Sequence, residues 1–139
     1  MKSFRQYKDI VYSIIGSAME VHSTLHWGLL EPVYNESLCF YKTHKLKKSY
    51  KMDVVVDDVV VELKSVSAIL PGHRAQLFNY LRLTKHPIGL LINFGTKKLQ
   101  GERYGYIEET NECVLLDRNM EIVDENIDWD PREYEDDDE

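Results

Sequence analysis

Asp53, Glu62 and Lys64 are the residues whose types and spacing could do chemistry together. They stand in the stretch Asp-Val-Val-Val-Asp-Asp-Val-Val-Val-Glu-Leu-Lys, residues 53–64. Two valine triplets around a pair of aspartates read as a strand, a tight turn and a second strand. With Asp57 and Asp58 as the loop, Val56 faces Val59, Val55 faces Val60 and Asp53 faces Glu62. A four-residue loop keeps the same pairing, which matters because Asp-Asp without a glycine is only a fair two-residue turn. Alternation then puts Asp53, Val55, Val60, Glu62 and Lys64 on one face. Directly opposite carboxylates, with Cβ atoms roughly 5 Å apart, repel by roughly 3 kcal/mol at an effective dielectric of about 20. Valines on both faces imply strands covered on two sides, where acids need a proton, a cation or a basic neighbour. Lys64 supplies one positive charge. A divalent metal would supply the rest, and hard oxygen ligands suit Mg²⁺ or Mn²⁺. The same residues also fit an edge hairpin whose acids face water, with Lys64 as an ordinary ion-pair partner.

The elements that must position this hairpin are legible on either side of it. Ile10, Ile14, Ala18, Val21 and Leu25 recur at helical spacing, so residues 4–25 read as an amphipathic helix. His22 and His26 share a helix face, but Ser23 stands where a zinc protease carries Glu and no third ligand is evident. Gly28 breaks the chain and Pro32 opens a second helix, whose stripe of Val33, Tyr34, Leu38 and Tyr41 runs to about His44. Glu31 at its start complements the helix dipole. Lysines at 45, 47, 48 and 51 form a basic stretch, suited to phosphates or to a solvated loop. Beyond Pro71-Gly72 a helix is expected over residues 73–84, with Gln76 and Tyr80 on one face and Leu77, Phe78 and Leu81 for packing. Residues 88–94 are apolar throughout and read as a buried strand ended by Gly95. Residues 103–107, 113–116 and 122–123 read as short strands joined by polar turns.

Four patterns in order carry a resemblance. Asp53 followed by Glu62-Leu63-Lys64 resembles the Asp…Glu-x-Lys core of the PD-(D/E)XK nuclease superfamily. Gly28-Leu29-Leu30-Glu31-Pro32-Val33-Tyr34 is similar to the Gly-x-x-Glu-x-x-Tyr pattern of the GxxExxY family within it. Gln76-Leu77-Phe78-Asn79-Tyr80 resembles that family's Gln-x-x-x-Tyr helix, and the apolar run 88–95 its following strand. The resemblance implies an α/β fold with a reduced restriction-endonuclease-like core, a central mixed β-sheet flanked by helices. It implies metal-dependent hydrolysis of nucleic-acid phosphodiesters, with DNA favoured. Asp53 and Glu62 would hold Mg²⁺ or Mn²⁺, with the Leu63 carbonyl and Glu31 as further ligands. Lys64 would orient the water or stabilise the transition state, and Gln76, Tyr80 and Lys51 would meet the substrate. His22 matches a histidine that would orient the site, whereas His26-Trp27 departs from the family's usual Gly-Pro. Between the second helix and Asp53 the chain also lacks most of a hairpin arm that supplies the first strand of the core. A stub around residues 46–50, a C-terminal strand, a homodimer or a protein partner would have to cover the open edge. The alternative is a catalytically silent module that binds nucleic acid or a protein partner.

Composition bounds these readings. At 139 residues and 43% hydrophobic content the chain suffices for one core, expected over residues 1–123. No apolar run approaches the roughly 18 residues of a membrane span, and residues 1–8 carry no signal-like core, so a cytoplasmic protein is expected. Cys39 and Cys113 fit no metal spacing and read as reduced thiols. The net charge of −7 is uneven: from Glu121 onward eleven acids stand against Arg132, giving −10, which leaves 16 bases and 13 acids, or +3, before it. Residues 124–139 therefore read as an acidic, disordered tail that hides a mildly basic core.

Overall fold

The hairpin forms as the valine pattern requires. In the computed structural model, which describes residues 3–41, 49–50 and 53–124, strand β2 (Asp53–Val56) pairs antiparallel with β3 (Val59–Lys64). The register is Asp53↔Glu62, Val54↔Val61, Val55↔Val60 and Val56↔Val59. Asp57 and Asp58 both take positive φ, 46° and 72°. That is the geometry of a two-residue turn whose twist matches the flanking strands, and aspartate tolerates it better than most residues.

Around the hairpin lies a seven-stranded sheet in simple sequence order, β1-β2-β3-β4-β5-β6-β7. The remaining strands are β1 (Ser49–Tyr50), β4 (Ile88–Asn93), β5 (Gln100–Ile107), β6 (Glu112–Leu116) and β7 (Ile122–Asp124). Only β3 and β4 run parallel. A parallel pair needs a crossover, and helix α3 (Pro71–Thr84) supplies it. The sheet is thus mixed, flanked by α1 (Lys8–Leu25, after a 3-10 turn at Arg5–Tyr7) and α2 (Glu31–Tyr41) on one face and by α3 on the other.

The two faces of β3 sort the side chains. Val59, Val61 and Leu63 join Ile14, Ala18, Val21, Tyr34 and Leu38 in the core beneath α1 and α2. Val60 joins Leu77, Phe78, Leu81, Tyr104 and Tyr106 beneath α3. Alternation leaves Glu62 and Lys64 on the α3 face. With every residue of β3 and β4 buried, these two strands are the centre of the fold.

Three features differ from the sequence expectation. The third helix begins at Pro71, where a proline costs no intrahelical hydrogen bond. Strand β5 begins at Gln100 because its first residues are polar and partly exposed, which gave no apolar signal. The C-terminal strands do not cover the edge left by the missing arm: β5 pairs with β4, on the other side of the sheet. The short link of residues 94–99 returns the chain beside β4 as a hairpin does. At the β2 edge, β1 pairs only Ser49 with Val54 and Tyr50 with Asp53. Among the described residues the arm is that stub.

Candidate active site

Glu62 and Lys64 are buried polar residues, 8% and 9% exposed, two positions apart on a strand that is otherwise apolar. The Lys64 Nζ lies 3.3 Å from Glu62 Oε2 and donates to Gln76 Oε1 at 3.2 Å. Gln76 is on the second turn of α3, so the helix that crosses over from β3 to β4 also fixes the lysine. The register puts the backbone of Asp53 directly opposite Glu62. Of the residues read from sequence, Glu62, Lys64 and Gln76 are therefore brought together, and Asp53 stands at the expected strand position. The Leu63 side chain is buried in the opposite core, which leaves only its backbone on offer to a ligand at this face.

The loop before Glu31 is tied to the end of β3. Ser65, immediately after Lys64, donates its hydroxyl to the Leu29 carbonyl, tying the loop before α2 to the end of β3. Tyr34 clamps the same loop: its hydroxyl accepts from the Leu29 N–H at 3.1 Å and donates to the His26 carbonyl at 2.7 Å. Its ring is fully buried and stacks on Phe94 with centroids 4.4 Å apart. Tyr34 thus serves both the packing role read from sequence and the shaping of the loop that contains Gly28, whose φ is 96°. Glu31 Oε1 is buried without a hydrogen-bond partner among the described residues. A buried carboxylate oxygen left so is costly, and a cation would satisfy it. That orphaned oxygen is the feature of this structure that fits a hard divalent ion, which takes carboxylate oxygens as ligands. Among the described residues, which exclude the Asp53 side chain, no group of three or more acid, histidine or cysteine side chains is assembled to hold a metal.

The other sequence candidates divide. His22 Nε2 lies 2.9 Å from the Thr96 carbonyl, steadying the turn after β4. Tyr80 packs at the edge of the α3-side core and stacks near His86, with centroids 6.4 Å apart, one turn beyond Gln76. Lys51, Lys45, Lys47 and Lys48 lie outside the described residues. Cys113 is a free buried thiol, pushed up to about 11 by burial.

Two supports escaped the sequence reading. Asn93 is 0% exposed and makes four hydrogen bonds. Its Oδ1 accepts from the Val66 and Gly95 N–H groups, both at 2.9 Å, and its Nδ2 donates to the Val66 carbonyl at 3.0 Å and to Gln100 Oε1 at 2.9 Å. With Phe94 N–H donating to the Lys64 carbonyl at 2.7 Å, it locks the chain just after Lys64. The lone amide in the apolar run 88–94 was the available signal. The second support is Arg74, bidentate to Glu102 at 2.7 Å on both arms, with Tyr104 donating to Glu102 at 2.6 Å. Burial pushes the Glu102 carboxyl up, but the hydrogen bonds from Arg74 and Tyr104 outweigh it and hold it below its ordinary value. This network ties the first turn of α3, two residues before Gln76, to β5.

A family model described as the PD-(D/E)XK nuclease superfamily matches residues 8–40 and 39–104, well over half of the chain. The chain belongs to the PD-(D/E)XK nuclease superfamily. The two matched segments meet at the end of α2. No curated protein and no solved structure matches the chain. In this PD-(D/E)XK chain, no helix among the described residues is long and apolar enough to cross a membrane.

Proposed function

We propose that this nuclease-superfamily domain is a metal-dependent phosphodiesterase acting on nucleic acid, DNA in the first instance. The observation that carries the reading is Lys64, buried and held between Glu62 and Gln76 on the strand face to which Asp53 is registered. Asp53, Glu62, the Leu63 carbonyl and Glu31 are the oxygen donors for Mg²⁺ or Mn²⁺. When bound, the ion would acidify a water and offset charge on the phosphate oxygens. Glu62 sets the charge and position of Lys64. An ammonium has three protons, and with two directed at Glu62 and Gln76 the third is assigned to a phosphate oxygen or the attacking water. Gln76 keeps that ammonium from rotating away. Lys51 and Tyr80 would contact the substrate. The finer assignment to the GxxExxY family rests on Gly28, Glu31 and Tyr34, two of which have structural duties at the site.

The reduced β2 edge supports a second reading, a catalytically silent module whose edge binds a protein partner or a second copy. One experiment separates the two. The full chain is incubated with duplex and single-stranded oligonucleotides and Mg²⁺, alongside Glu62→Gln, Lys64→Met and Asp53→Asn. Mg²⁺-dependent cleavage lost in all three variants is expected. Binding without cleavage by the wild type would reject hydrolysis.

A further inference from the structure

On the sheet face away from Glu62, a groove runs between α1 and β5. It comprises two hollows of about 570 and 550 Å³ that share Ile15, Met19 and Arg103. Arg103 reaches this side because Tyr104 and Tyr106, its neighbours in alternation, belong to the core beneath α3. Its Nε is buried and has no hydrogen-bond partner among the described residues. Burial lowers its pKa from the usual arginine value, and the charge of Arg118 adds to that, with Asp117 opposing. The guanidinium nonetheless keeps its charge at neutral pH, so it is a cation in want of an acceptor.

The rest of the lining has the same sign. Lys8 and Arg118 stand at one end and Lys97 and Lys98 at the other, with Asp9 the one acid among the lining residues. The floor is apolar, and Tyr12 and Met19 on α1 are 80% and 57% exposed there. Such a surface fits an acidic strand that also carries apolar side chains.

The chain contains a segment of that composition. Residues 125–139 hold nine acids against Arg132, for a charge of −8, and include Ile127, Trp129 and Tyr134. Their starting point is fixed. Asp124 pairs with Leu115 and Leu115 with Tyr104, next to Arg103. Two strand spacings, roughly 10 Å, separate the segment's origin from the groove. The β6–β7 turn is also tied toward the start of α1 by Glu121, whose Oε2 lies 3.5 Å from Arg5 Nε. At roughly 3.3 Å per residue, three or four residues cover that distance, and eleven or twelve of the fifteen remain to lie along the groove. Tethering makes the encounter intramolecular, which favours this occupant over a free one.

We propose that the groove is the docking site of the chain's own acidic segment, residues 125–139, lying across Arg103 as an internal polyanion. Its carboxylates meet Arg103, Arg118, Lys97 and Lys98, and Trp129 covers the apolar floor. The inference is independent of the hydrolytic reading, since it concerns the opposite face of the sheet.

Trp129 reports on it directly. The chain has two tryptophans, and Trp27→Phe in the full chain leaves Trp129 alone. Acrylamide quenching of that protein is measured at low salt and at about 1 M salt, where the screening length falls to about 3 Å. Quenching severalfold weaker at low salt, with the protection lost in Arg118→Glu and Arg103→Gln, is the expected result. Arg118 is exposed, so its variant leaves the core untouched, and Lys98→Glu is a second surface test should Arg103→Gln fold poorly. Equal quenching at both salts overturns the proposal. Protection that survives Arg118→Glu and Lys98→Glu also overturns it, because the segment then rests elsewhere. A third arm adds a duplex oligonucleotide at low salt. If Trp129 is already exposed and oligonucleotide affinity falls in Arg118→Glu, the groove serves nucleic acid and the proposal is wrong.

Discussion

At Lys64 the chain holds an ammonium in a place where solvent cannot carry its charge, and two neighbours do so instead. Removing one of them should be felt differently according to which it is. Glu62→Gln leaves the lysine without its counter-charge, so a loss of about 3 kcal/mol of stability in metal-free buffer is expected from breaking a buried pair. That magnitude competes with relief of repulsion between Asp53 and Glu62, and the ion pair seen at 3.3 Å now decides in favour of a loss. Denaturant titration of the wild type and Glu62→Gln checks it; equal or higher stability in the variant would mean the two acids dominate. The Arg74–Glu102 network gives a pH signature. Because the Glu102 pKa is held below its ordinary 4.5, its contribution is present above that pH and is lost as pH falls through the lower folded value. Glu102→Gln should cost about 1.5–3 kcal/mol at neutral pH and flatten the acid limb of the stability profile below pH 4.5. A variant that keeps the wild-type acid slope would take Glu102 out of that account. Sequence could name Glu62 and Lys64, whose spacing is local, but not Arg74 with Glu102 or Asn93 with Val66. Those partners are 28 and 27 residues apart, and nothing in either local pattern points to the other.

The β2–β3 hairpin is the element that local chemistry specified most fully. Two valine runs and a polar pair leave one register that turns Val59 and Val61 into the core beneath α1 and α2 and Val60 into the core beneath α3, and a slip by one residue would put Glu62 beneath α1 and α2. The turn is the weak part, since Asp58 sits at φ 72° with an aspartate before it. Asp58→Gly removes the Cβ penalty and one of two adjacent charges, so a gain of about 1 kcal/mol in stability is expected with the site unchanged. A lower melting temperature would mean that an aspartate side chain caps the turn. The opposite case is Gly95, where an added Cβ would lie 2.2 Å from the Val66 carbonyl oxygen and 2.3 Å from its nitrogen. Backbone on both sides cannot give way, so Gly95→Ala should cost at least about 3 kcal/mol and displace the chain after Lys64. Sequence marked Gly95 only as the end of a strand. The close approach of two chain segments there is a tertiary fact with no local signature.

Taken whole, the molecule puts its candidate site on the thinner half of the sheet. Among the described residues, the chain beyond β4 adds three strands, whereas the β2 side has only the two-residue β1 beyond it. Which edge the last strands would join was open in the sequence, because short amphipathic strands carry no address and the link length decided it. The consequence is thermodynamic. The oxygen donors proposed for a metal sit on β2, β3 and the start of α2, which meet nowhere in an unfolded chain, so an ion that binds them stabilises the fold by mass action. At a free concentration of 100 times the dissociation constant that amounts to about 2.7 kcal/mol. Stabilisation should be largest where the unliganded structure is least supported, so Mn²⁺ should slow hydrogen exchange in residues 53–56 more than in residues 88–93. The same titration should raise the melting temperature of the wild type and leave Glu62→Gln and Asp53→Asn unmoved. A rise of equal size in all three would place the ion on other acids, with residues 125–139 the obvious alternative, and would remove the metal from the β2–β3 face.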